Sequence, residues 1–297
     1  MADRKFDPKC PTISVPGIYA DVPMDIYVGD PCPSPSVSTS VVKALSDRSP
    51  LHAYNGHPRL GGKSSESSRA DLGSAAHAVL LGGAERIVVV DAADWRTKAA
   101  QLARDEAREA GRIPILAAQS DPILKMAASA RAMLEFHGLN DLRAERTLLW
   151  EDARGVWCRS RPDLMHGEEC DPVIDYKTST NADPMTWMKT TLFRGGYDCQ
   201  SGLVLRGLDK LLGQQERQFL FLVQEIEEPF ACSLVGCGPS IVSHATQKVE
   251  AAIDLWYRCL KSGKFPGYDT RIHWAELPAY TQSDWYERQQ AYGEDEV

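Results

Sequence analysis

The sequence of 297 residues lacks long uncharged apolar runs, and no run approaches the roughly 18 residues that a membrane-spanning helix requires. The opening residues, MADRKFDPKC, carry charges throughout and lack the apolar core of a signal peptide. We therefore expect no association with a membrane, and we expect a cytoplasmic location.

The cysteines lack the spacing of a metal site or a disulfide framework. There are eight of them, but no Cys-x-x-Cys pair occurs, and the nearest two are Cys232 and Cys237 in CSLVGC. Thiols of a cytoplasmic protein stay reduced. We expect free and mostly buried cysteines, with neither a disulfide nor a structural metal.

An excess of positive charge is also lacking. Lysine and arginine number 33 against 41 aspartates and glutamates, which gives a formal net charge of -8. This balance excludes a uniformly basic coat of the kind that covers many nucleic-acid-binding proteins. It remains compatible with a locally basic groove, because a site built from carboxylates adds negative charge of its own when no metal is bound.

The composition changes along the chain in two places. Residues 1–37 are rich in proline and glycine and predict an N-terminal arm with little regular structure. Residues 38–262 carry helical and strand-like patterns and form the predicted domain, and residues 263–297 predict a polar tail. The polar Gly/Ser-rich stretch 55–68, NGHPRLGGKSSESS, predicts a mobile loop.

Inside the predicted domain the apolar period changes from helical to strand-like and back. Helices are predicted near 39–47, in RADLGSAAHAVLLGG, in DWRTKAAQLARDEAREAG, near 119–137, in 184–213 with a break at Gly195-Gly196, and near 239–261. Strands are predicted in RIVVV, in the hairpin ERTLLWEDARGVWCRSRPD, in PVIDYKTS, and in the pair QFLFLVQEI and FACSLVGC. The order predicts an α/β fold with a central mixed β-sheet flanked by helices.

Residues 161–180, RPDLMHGEECDPVIDYKTST, place charges directly after an apolar pair in a predicted strand. Because side chains alternate along a strand, Asp175 and Lys177 point to one face and Tyr176 to the other. Asp163 ends the second hairpin strand, and its carboxylate meets that of Asp175 if the two strands are neighbours. Two carboxylates and a backbone carbonyl form a hard oxygen site that suits Mg²⁺, and a nearby lysine can hold or deprotonate a water. The pattern predicts metal-assisted phosphodiester hydrolysis.

Each of these residue types also has a structural interpretation. Asp175 and Lys177 fit an ion pair at a strand end, which needs no catalytic role. His77 fits either a packed or capping residue or a group near the site, since the small residues around it let its helix approach the sheet. Arg159 and Arg161 flank the motif and fit either phosphate contacts or a solvated face.

Pro162-Asp163 followed by Asp175-Tyr176-Lys177 resembles the PD-(D/E)xK signature of nucleases. The surrounding segments resemble the nuclease domain of exodeoxyribonuclease VIII (RecE-type): LGSAAHAVLLG is similar to the helix that precedes its sheet, AERTLLWED and GVWCRSRPD to its hairpin, and YDCQSGLVLRGL to its following helix. The likeness runs from about residue 17 to about residue 260. It implies a restriction-endonuclease-like core.

The resemblance implies a role for each matching residue. Asp163, Asp175 and the backbone carbonyl of Tyr176 would bind the metal, and Lys177 would position or activate a water. His77 would lie at the edge of the metal, as a ligand or beside one.

Further candidates are weaker matches. Glu145 would be an additional acid, although a solvated charge at a strand end is the alternative. Tyr197 and Gln200 would face the site or the DNA; the related helix commonly has a tyrosine four residues after the glutamine, where this chain has Val204. The candidate DNA contacts are Arg159, Arg161 and Thr178.

The resemblance also implies an activity. It predicts a Mg²⁺-dependent exodeoxyribonuclease, with Mn²⁺ able to substitute, that degrades double-stranded DNA from its ends in the 5′-to-3′ direction. The remaining 3′ strand would pass to a single-strand annealing protein, the enzyme would form a homo-oligomeric ring, and the host would be a bacterium or a phage-infected cell. We do not expect an iron–sulfur cluster. The alternatives are an endonuclease or single-strand nuclease of the same fold, and a non-catalytic module that binds DNA ends.

Overall fold

The computed structural model describes residues 3–62 and 71–291, with the side chains of 71 and 291 excepted. The end of the predicted 55–68 loop therefore lies outside the described residues. The described strands are β1 (Arg4–Lys5), β2 (Gly17–Ala20), β3 (Ile87–Val90), β4 (Ile113–Leu116), β5 (Leu142–Ala144), β6 (Thr147–Glu151), β7 (Trp157–Ser160), β8 (Leu164–His166), β9 (Val173–Ser179), β10 (Phe219–Glu225) and β11 (Cys232–Gly236).

The helices match most of the predicted segments. They are α1 (Met24–Val28), α2 (Thr39–Asp47), α3 (Pro50–Gly56), α4 (Asp71–Leu80), α5 (Lys98–Glu109), α6 (Ser120–Phe136), α7 (Pro184–Thr190), α8 (Tyr197–Leu212), α9 (Pro239–Ser262) and α10 (Ala279–Ala291). In the part of the chain that the structure describes, no helix combines the length and the apolar character that crossing a membrane requires.

A five-stranded mixed sheet in the order β11-β10-β9-β8-β5 forms the centre of the molecule. Its β9 and β10 run parallel over the whole of β9, from Val173 opposite Phe219 to Ser179 opposite Glu225, and the other neighbours are antiparallel. Only two residues of β8 pair with β9, so this ladder ends early. The predicted mixed sheet is confirmed. Its central strand, β9, is paired along its whole length with β10 but over only two residues with β8.

Helices cover both faces of this sheet. On one face Phe221 and Val173 pack in a cluster with Leu203 of α8 and Ile253 of α9. On the other face the strands pack against α4 and α6, through residues that include Ile174, Leu222, Ala76 and Met126. Since Val173 and Ile174 are consecutive, β9 is buried on both sides, as its unbroken apolar start predicts.

The hairpin β6–β7 belongs to a second sheet, in the order β1-β2-β6-β7. The prediction that residues 1–37 form an arm with little regular structure differs from this arrangement, because β2 pairs with β6 and Ile18 is buried. The Pro/Gly-rich composition marks turns, but the four apolar-centred residues GIYA between them suffice for a strand.

Two smaller differences concern the middle and the end of the chain. Ile113 and Pro114, which lie between two of the predicted helices, begin β4, which pairs in parallel with β3 in a two-stranded sheet. A proline is tolerated in such a strand because one of its sides has no neighbour. The described residues up to Pro266 form one compact unit and those from Gly267 form a second, which contains α10 where a polar tail was predicted.

Candidate active site

Asp163 and Asp175 lie where the β8–β9 ladder ends. Leu164 is opposite Ile174, so Asp163 comes directly before the first paired residue of β8 and Asp175 directly after its partner. The Tyr176 backbone N–H donates to Asp163 Oδ2 at 2.8 Å. The Asp163 carboxylate therefore accepts the hydrogen bond that a backbone carbonyl would accept from Tyr176 if β8 extended further in the N-terminal direction.

This placement corrects one step of the sequence interpretation. Asp163 was predicted to end the second hairpin strand and to meet Asp175 across neighbouring strands. That strand, β7, ends at Ser160 and lies in the other sheet, and a separate short strand, β8, is the neighbour of β9. The carboxylates still converge, because β8 follows Asp163 immediately.

Asp175 is completely buried on the face that packs against α8. Its carboxylate forms an ion pair with the Lys177 ammonium, and the Gln200 side-chain amide donates to Oδ1. Among the described residues no well-aligned hydrogen-bond donor reaches Oδ2, which contacts the ammonium only as an ion pair. Burial, together with the negative charge of Asp163, raises the pKa of Asp175 to about 6.

Lys177 is fixed by two kinds of neighbours. Its Nζ contacts Asp175 and lies 4.9 Å from the centroid of the Tyr197 ring, within the range of a cation–π interaction. Burial alone would lower the pKa of the ammonium, but the charges of Asp175 and Asp163 outweigh it and raise the pKa above its ordinary value. Without a metal, the lysine is a cation held between two carboxylates and an aromatic ring.

His77 reaches Asp163 from α4, on the opposite face of the sheet. Its Nε2 lies 3.0 Å from Asp163 Oδ1. Burial would raise the pKa of the Asp163 carboxyl, but the hydrogen bond and charge of His77, with the charge of Lys177, hold it below its usual value. Burial opposes protonation of His77, yet the bond to Asp163 and the surrounding carboxylates raise the pKa of its imidazole.

Small residues bring α4 close to β9. A Cβ atom added to Gly73 would lie 2.8 Å from Thr178 Oγ1, too close for a real contact. Ala75 and Ala76 are fully buried in the same helix. The short side chains therefore set the distance at which His77 meets Asp163, as expected from LGSAAHAVLLG.

Glu145 lies at the site through its backbone. Its N–H donates to the Asp163 carbonyl at 2.9 Å, and its φ of 49° is in the left-handed region, which is uncommon for a residue other than glycine. Strained residues of this kind concentrate at functional sites. The Glu145 side chain borders the cavity described next, although it contacts neither aspartate.

A cavity of about 480 Å³ opens over these residues. The predicted site residues His77, Glu145, Tyr176, Lys177, Thr178 and Tyr197 line it. Arg86 also lines it and was not predicted, since nothing in its local sequence, a single turn after Gly82-Gly83, marks it as functional. The structure thus brings together both aspartates, the lysine and the residues of two flanking helices.

The arginines of the motif have structural partners. Arg159, predicted as a DNA contact, is 4% exposed and its guanidinium lies 3.2 Å from Asp30 Oδ1, so it is not available to a phosphate. Arg161 donates to the Val22 carbonyl at 2.7 Å and stacks on Tyr27 at 4.4 Å. The alternation along β9 does not govern these two residues, because Arg159 lies in β7 of the other sheet and Arg161 follows the end of that strand.

Gln200, predicted to face the site or the DNA, donates a hydrogen bond from its side-chain amide to Asp175. Val204, which stands where the related helix commonly has a tyrosine, is buried in the cluster beneath α8. A polar ring at this position would need a partner inside that cluster. The departure from the related pattern therefore matches the packing of this helix.

The donor atoms suit a hard divalent cation. Within the described ranges no group of three or more His, Cys, Asp or Glu is arranged to hold a metal, so the protein atoms on offer are two carboxylates and a backbone carbonyl. The N–H and C=O of one strand residue point to the same side, and the Tyr176 carbonyl therefore points, like its N–H, past the end of β8. Mg²⁺ retains several waters and needs few protein ligands. Asp175 Oδ2, which accepts no well-aligned hydrogen bond and faces a cationic group already, also fits such an ion.

Comparison with known structures agrees with this architecture. A crystal structure of a candidate exonuclease from Eubacterium rectale is similar over 84% of this chain and 93% of that one, with a TM-score of 0.56 and 12% identity. At this identity the likeness shows the fold alone. An alkaline exonuclease from Laribacter hongkongensis is similar over 57% of this chain and 86% of that one, with a TM-score of 0.26 and 14% identity, too low to bear on the fold.

Comparison of the sequence identifies the family. No curated protein matches the chain. The family model described as a PDDEXK-like domain of unknown function, DUF3799, matches residues 38–276, and this confirms the predicted PD-(D/E)xK fold. Because the match covers most of the chain, the protein belongs to the DUF3799 family of PDDEXK-like domains.

Proposed function

We propose that this protein is a divalent-metal-dependent exodeoxyribonuclease that degrades linear double-stranded DNA. The observation that carries the proposal is the meeting of Asp163, Asp175 and Lys177 at one end of the β8–β9 ladder, in the order of the PD-(D/E)xK signature and beside a cavity that Lys177 lines. The likeness to a candidate exonuclease of the same fold favours trimming from ends over internal cutting.

The residues have distinct tasks in this proposal. Asp163, Asp175 and the Tyr176 carbonyl hold the cation, which we propose to be Mg²⁺ with Mn²⁺ as a substitute. When bound, the ion lowers the pKa of a coordinated water and neutralises charge on the scissile phosphate. Lys177 holds the attacking water by a hydrogen bond from Nζ and places a positive charge beside the phosphate.

Two neighbours keep the carboxylates oriented. The Gln200 amide binds Asp175 Oδ1, and Oδ2, which faces the Lys177 ammonium, would be the oxygen shared with the cation. His77 holds Asp163 Oδ1, and the Tyr176 N–H holds Oδ2. Each carboxylate therefore has a fixed rotamer before a ligand arrives, which is the preorganisation that catalysis requires.

The finer features of the proposal come from the resemblance. We propose 5′-to-3′ digestion in the cytoplasm of a bacterium or a phage-infected host, a 3′ strand passed to an annealing protein, and a homo-oligomeric ring. A ring encircling its substrate suits processive digestion and is a closed symmetric assembly. Light scattering of the purified protein measures the oligomeric state.

Digestion of end-labelled linear duplex tests the activity and its direction together. Wild type, Lys177→Ala and the exposed-surface control Lys210→Ala are compared in Mg²⁺ and in EDTA, with a closed circular duplex alongside. We expect Mg²⁺-dependent release of the 5′ label by wild type and the control, with the rate at least about 100-fold lower in Lys177→Ala.

The other outcomes distinguish the alternatives. Cutting of the circle would indicate an endonuclease, and faster digestion of single strands than of duplex a single-strand nuclease. Absence of cleavage on every substrate by folded wild type would overturn the proposal in favour of a non-catalytic module that binds DNA ends.

A further inference from the structure

The chain leaves the cavity at Thr178 and returns to it at Tyr197, and both residues line it. Between them it forms α7 and a tight turn. The turn is closed by two hydrogen bonds of 3.0 Å, from the Tyr197 N–H to the Leu192 carbonyl and from the Gly196 N–H to the Phe193 carbonyl. Phe193 is therefore within roughly 14 Å of Tyr197, the most that four extended residues can span.

One face of α7 is fixed to the site by stacked rings. Trp187 is 1% exposed and lies parallel to the Tyr197 ring, with centroids 5.6 Å apart and an interplanar angle of 8°. The Tyr197 ring in turn contacts the Lys177 ammonium. The start of α7 is capped by Asp183, whose carboxylate accepts from the Thr186 N–H at 2.8 Å. The helix therefore has a defined position relative to Lys177.

The opposite face of α7 and the turn after the helix are exposed and carry apolar and cationic side chains, Met185 and Lys189 on the helix and Phe193 and Arg194 in the turn. Met185 and Phe193 are 58% and 49% exposed, and the Phe193 ring has one aromatic neighbour, an edge contact with His244. Lys189 and Arg194 are exposed, and no carboxylate of the described residues forms an ion pair with either. The acidic group nearby is the capping Asp183, which interacts with Lys189 through space.

This combination fits a polyanion with exposed flat apolar faces. Two unpaired cations bind phosphates by releasing counterions, and an exposed aromatic ring stacks on an unpaired base. In a duplex the faces of the bases are stacked on one another. It could bind the two cations through its phosphates, but it would offer Met185 and Phe193 no apolar surface to contact.

We propose that Met185, Lys189, Phe193 and Arg194 form a rim, here called the α7 rim, that binds an unpaired DNA segment beside the site. The inference deepens the proposed function and rests on it for the identity of the ligand. A segment bound there is fixed relative to Lys177, because the Trp187–Tyr197 stack joins the two.

Fluorescence anisotropy with a labelled oligothymidylate of about 15 nucleotides tests the rim, in EDTA so that no cleavage occurs. We expect Phe193→Ala to weaken the binding of oligothymidylate about tenfold, which corresponds to the loss of one stacked base. The affinity of the same variant for a duplex of equal length should stay within about threefold of the wild-type affinity. The double variant Lys189→Gln/Arg194→Gln should reduce the salt dependence of log K by about 1.4, from two lost phosphate contacts. Phe136→Ala, at a ring 85% exposed at the end of α6, is the matched control and should change neither quantity.

Steady-state digestion separates this inference from the proposed function. If wild type degrades a duplex that carries an unpaired tail of about 15 nucleotides, Phe193→Ala should raise KM for this substrate about tenfold and leave kcat within about twofold, since the residue touches no reacting atom. Binding of oligothymidylate by Phe193→Ala equal to that of wild type would overturn the rim and leave the nuclease proposal intact. If Phe193→Ala binds oligothymidylate more weakly than wild type does, but wild type cleaves no DNA, the α7 rim would stand and the nuclease proposal would be overturned. A change of mass in light scattering with unchanged DNA affinity would assign the surface to self-association and overturn the rim.

Discussion

Two aspartates of this protein, Asp30 and Asp175, are almost equally inaccessible to solvent, and their surroundings are opposite. Asp30 is 6% exposed and Asp175 is 0% exposed. A carboxylate removed from water must be given donors or counter-charges, or its pKa rises. Comparing the two separates a buried charge that stabilises the fold from one that is left incomplete.

Asp30 is completely satisfied by its neighbours. Arg159 lies 3.2 Å and His57 3.3 Å from its oxygens, and Ser36 donates to both of them, from its N–H at 2.9 Å and from its hydroxyl at 2.7 Å. Burial alone would raise the pKa of Asp30, but His57, Arg159 and Ser36 together lower it to about 2. The group is ionised at all ordinary pH values.

Asp175 has fewer partners and a like charge beside it. Lys177 and the Gln200 amide are its contacts, whereas Asp163 repels it, and its pKa rises to about 6. A natural protein retains such an arrangement when function needs it, at a cost in stability. The incomplete pairing of Asp175 is what the proposed metal site requires, whereas the complete pairing of Asp30 fits a residue that stabilises the fold.

Asp30→Asn should break the satisfied member of the pair. The substitution leaves Arg159 buried without its anion, and removing one partner of a buried ion pair costs about 3–5 kcal/mol of the free energy of unfolding. Urea denaturation measures it. Asp94→Asn, in an exposed pair with Arg96, is the control and should leave the stability almost unchanged. An equally small change for Asp30→Asn would contradict the assigned role of the cluster.

Asp175→Asn should have the opposite character. In EDTA it relieves the repulsion from Asp163 but removes the counter-charge of Lys177, and because these effects oppose each other we expect its melting temperature to stay close to that of wild type. Mg²⁺ at about 100 times its Kd should stabilise wild type by about 2.7 kcal/mol and the variant by much less. Thermal unfolding with and without Mg²⁺ provides the measurement, and Asp94→Asn should retain the full shift. Equal shifts in wild type and Asp175→Asn would remove Asp175 from the metal site.

The pH dependence of stability should sharpen the contrast. The pKa of Asp30 falls from an ordinary value of 3.8 to about 2 on folding, so its contribution is complete above about pH 4 and is lost as the pH falls towards 2. The stability gap between wild type and Asp30→Asn should therefore stay constant from pH 7 to about 4 and then narrow by roughly 2 kcal/mol. A gap that narrows already between pH 7 and 5 would contradict the lowered pKa of Asp30.

The sequence predicts the site better than it predicts the sheets. Asp163, Asp175 and Lys177 lie within one short segment, and their convergence follows from local alternation and one strand pairing. The small residues before His77 announce a close helix–sheet contact, which the position of Gly73 shows. These features each depend on residues within one short segment, so they can be predicted without knowing how distant segments pack.

Partners from distant segments were not predictable. β7 and β8 are separated by only three residues, yet they pair in different sheets. Which sheet each strand joins depends on partner strands elsewhere in the chain, which the local sequence does not show. The burial of Arg159 depends on Asp30, which lies in a Pro/Gly-rich segment whose composition indicated no packing. Gly/Pro content reports where the backbone turns, but not whether the residues between the turns are buried.

The parallel pairing of β9 with β10 has a consequence for folding. Because side chains alternate, a slip of one residue in this ladder would turn Asp175 and Lys177 towards Ala76 and Met126. Two charges would then be forced among alkyl groups, while Tyr176 would lose its bond to Gln224. The charges of the proposed site thus also disfavour the wrong alignment while the chain assembles. Uncharged side chains at positions 175 and 177 would remove this penalty on the slipped pairing.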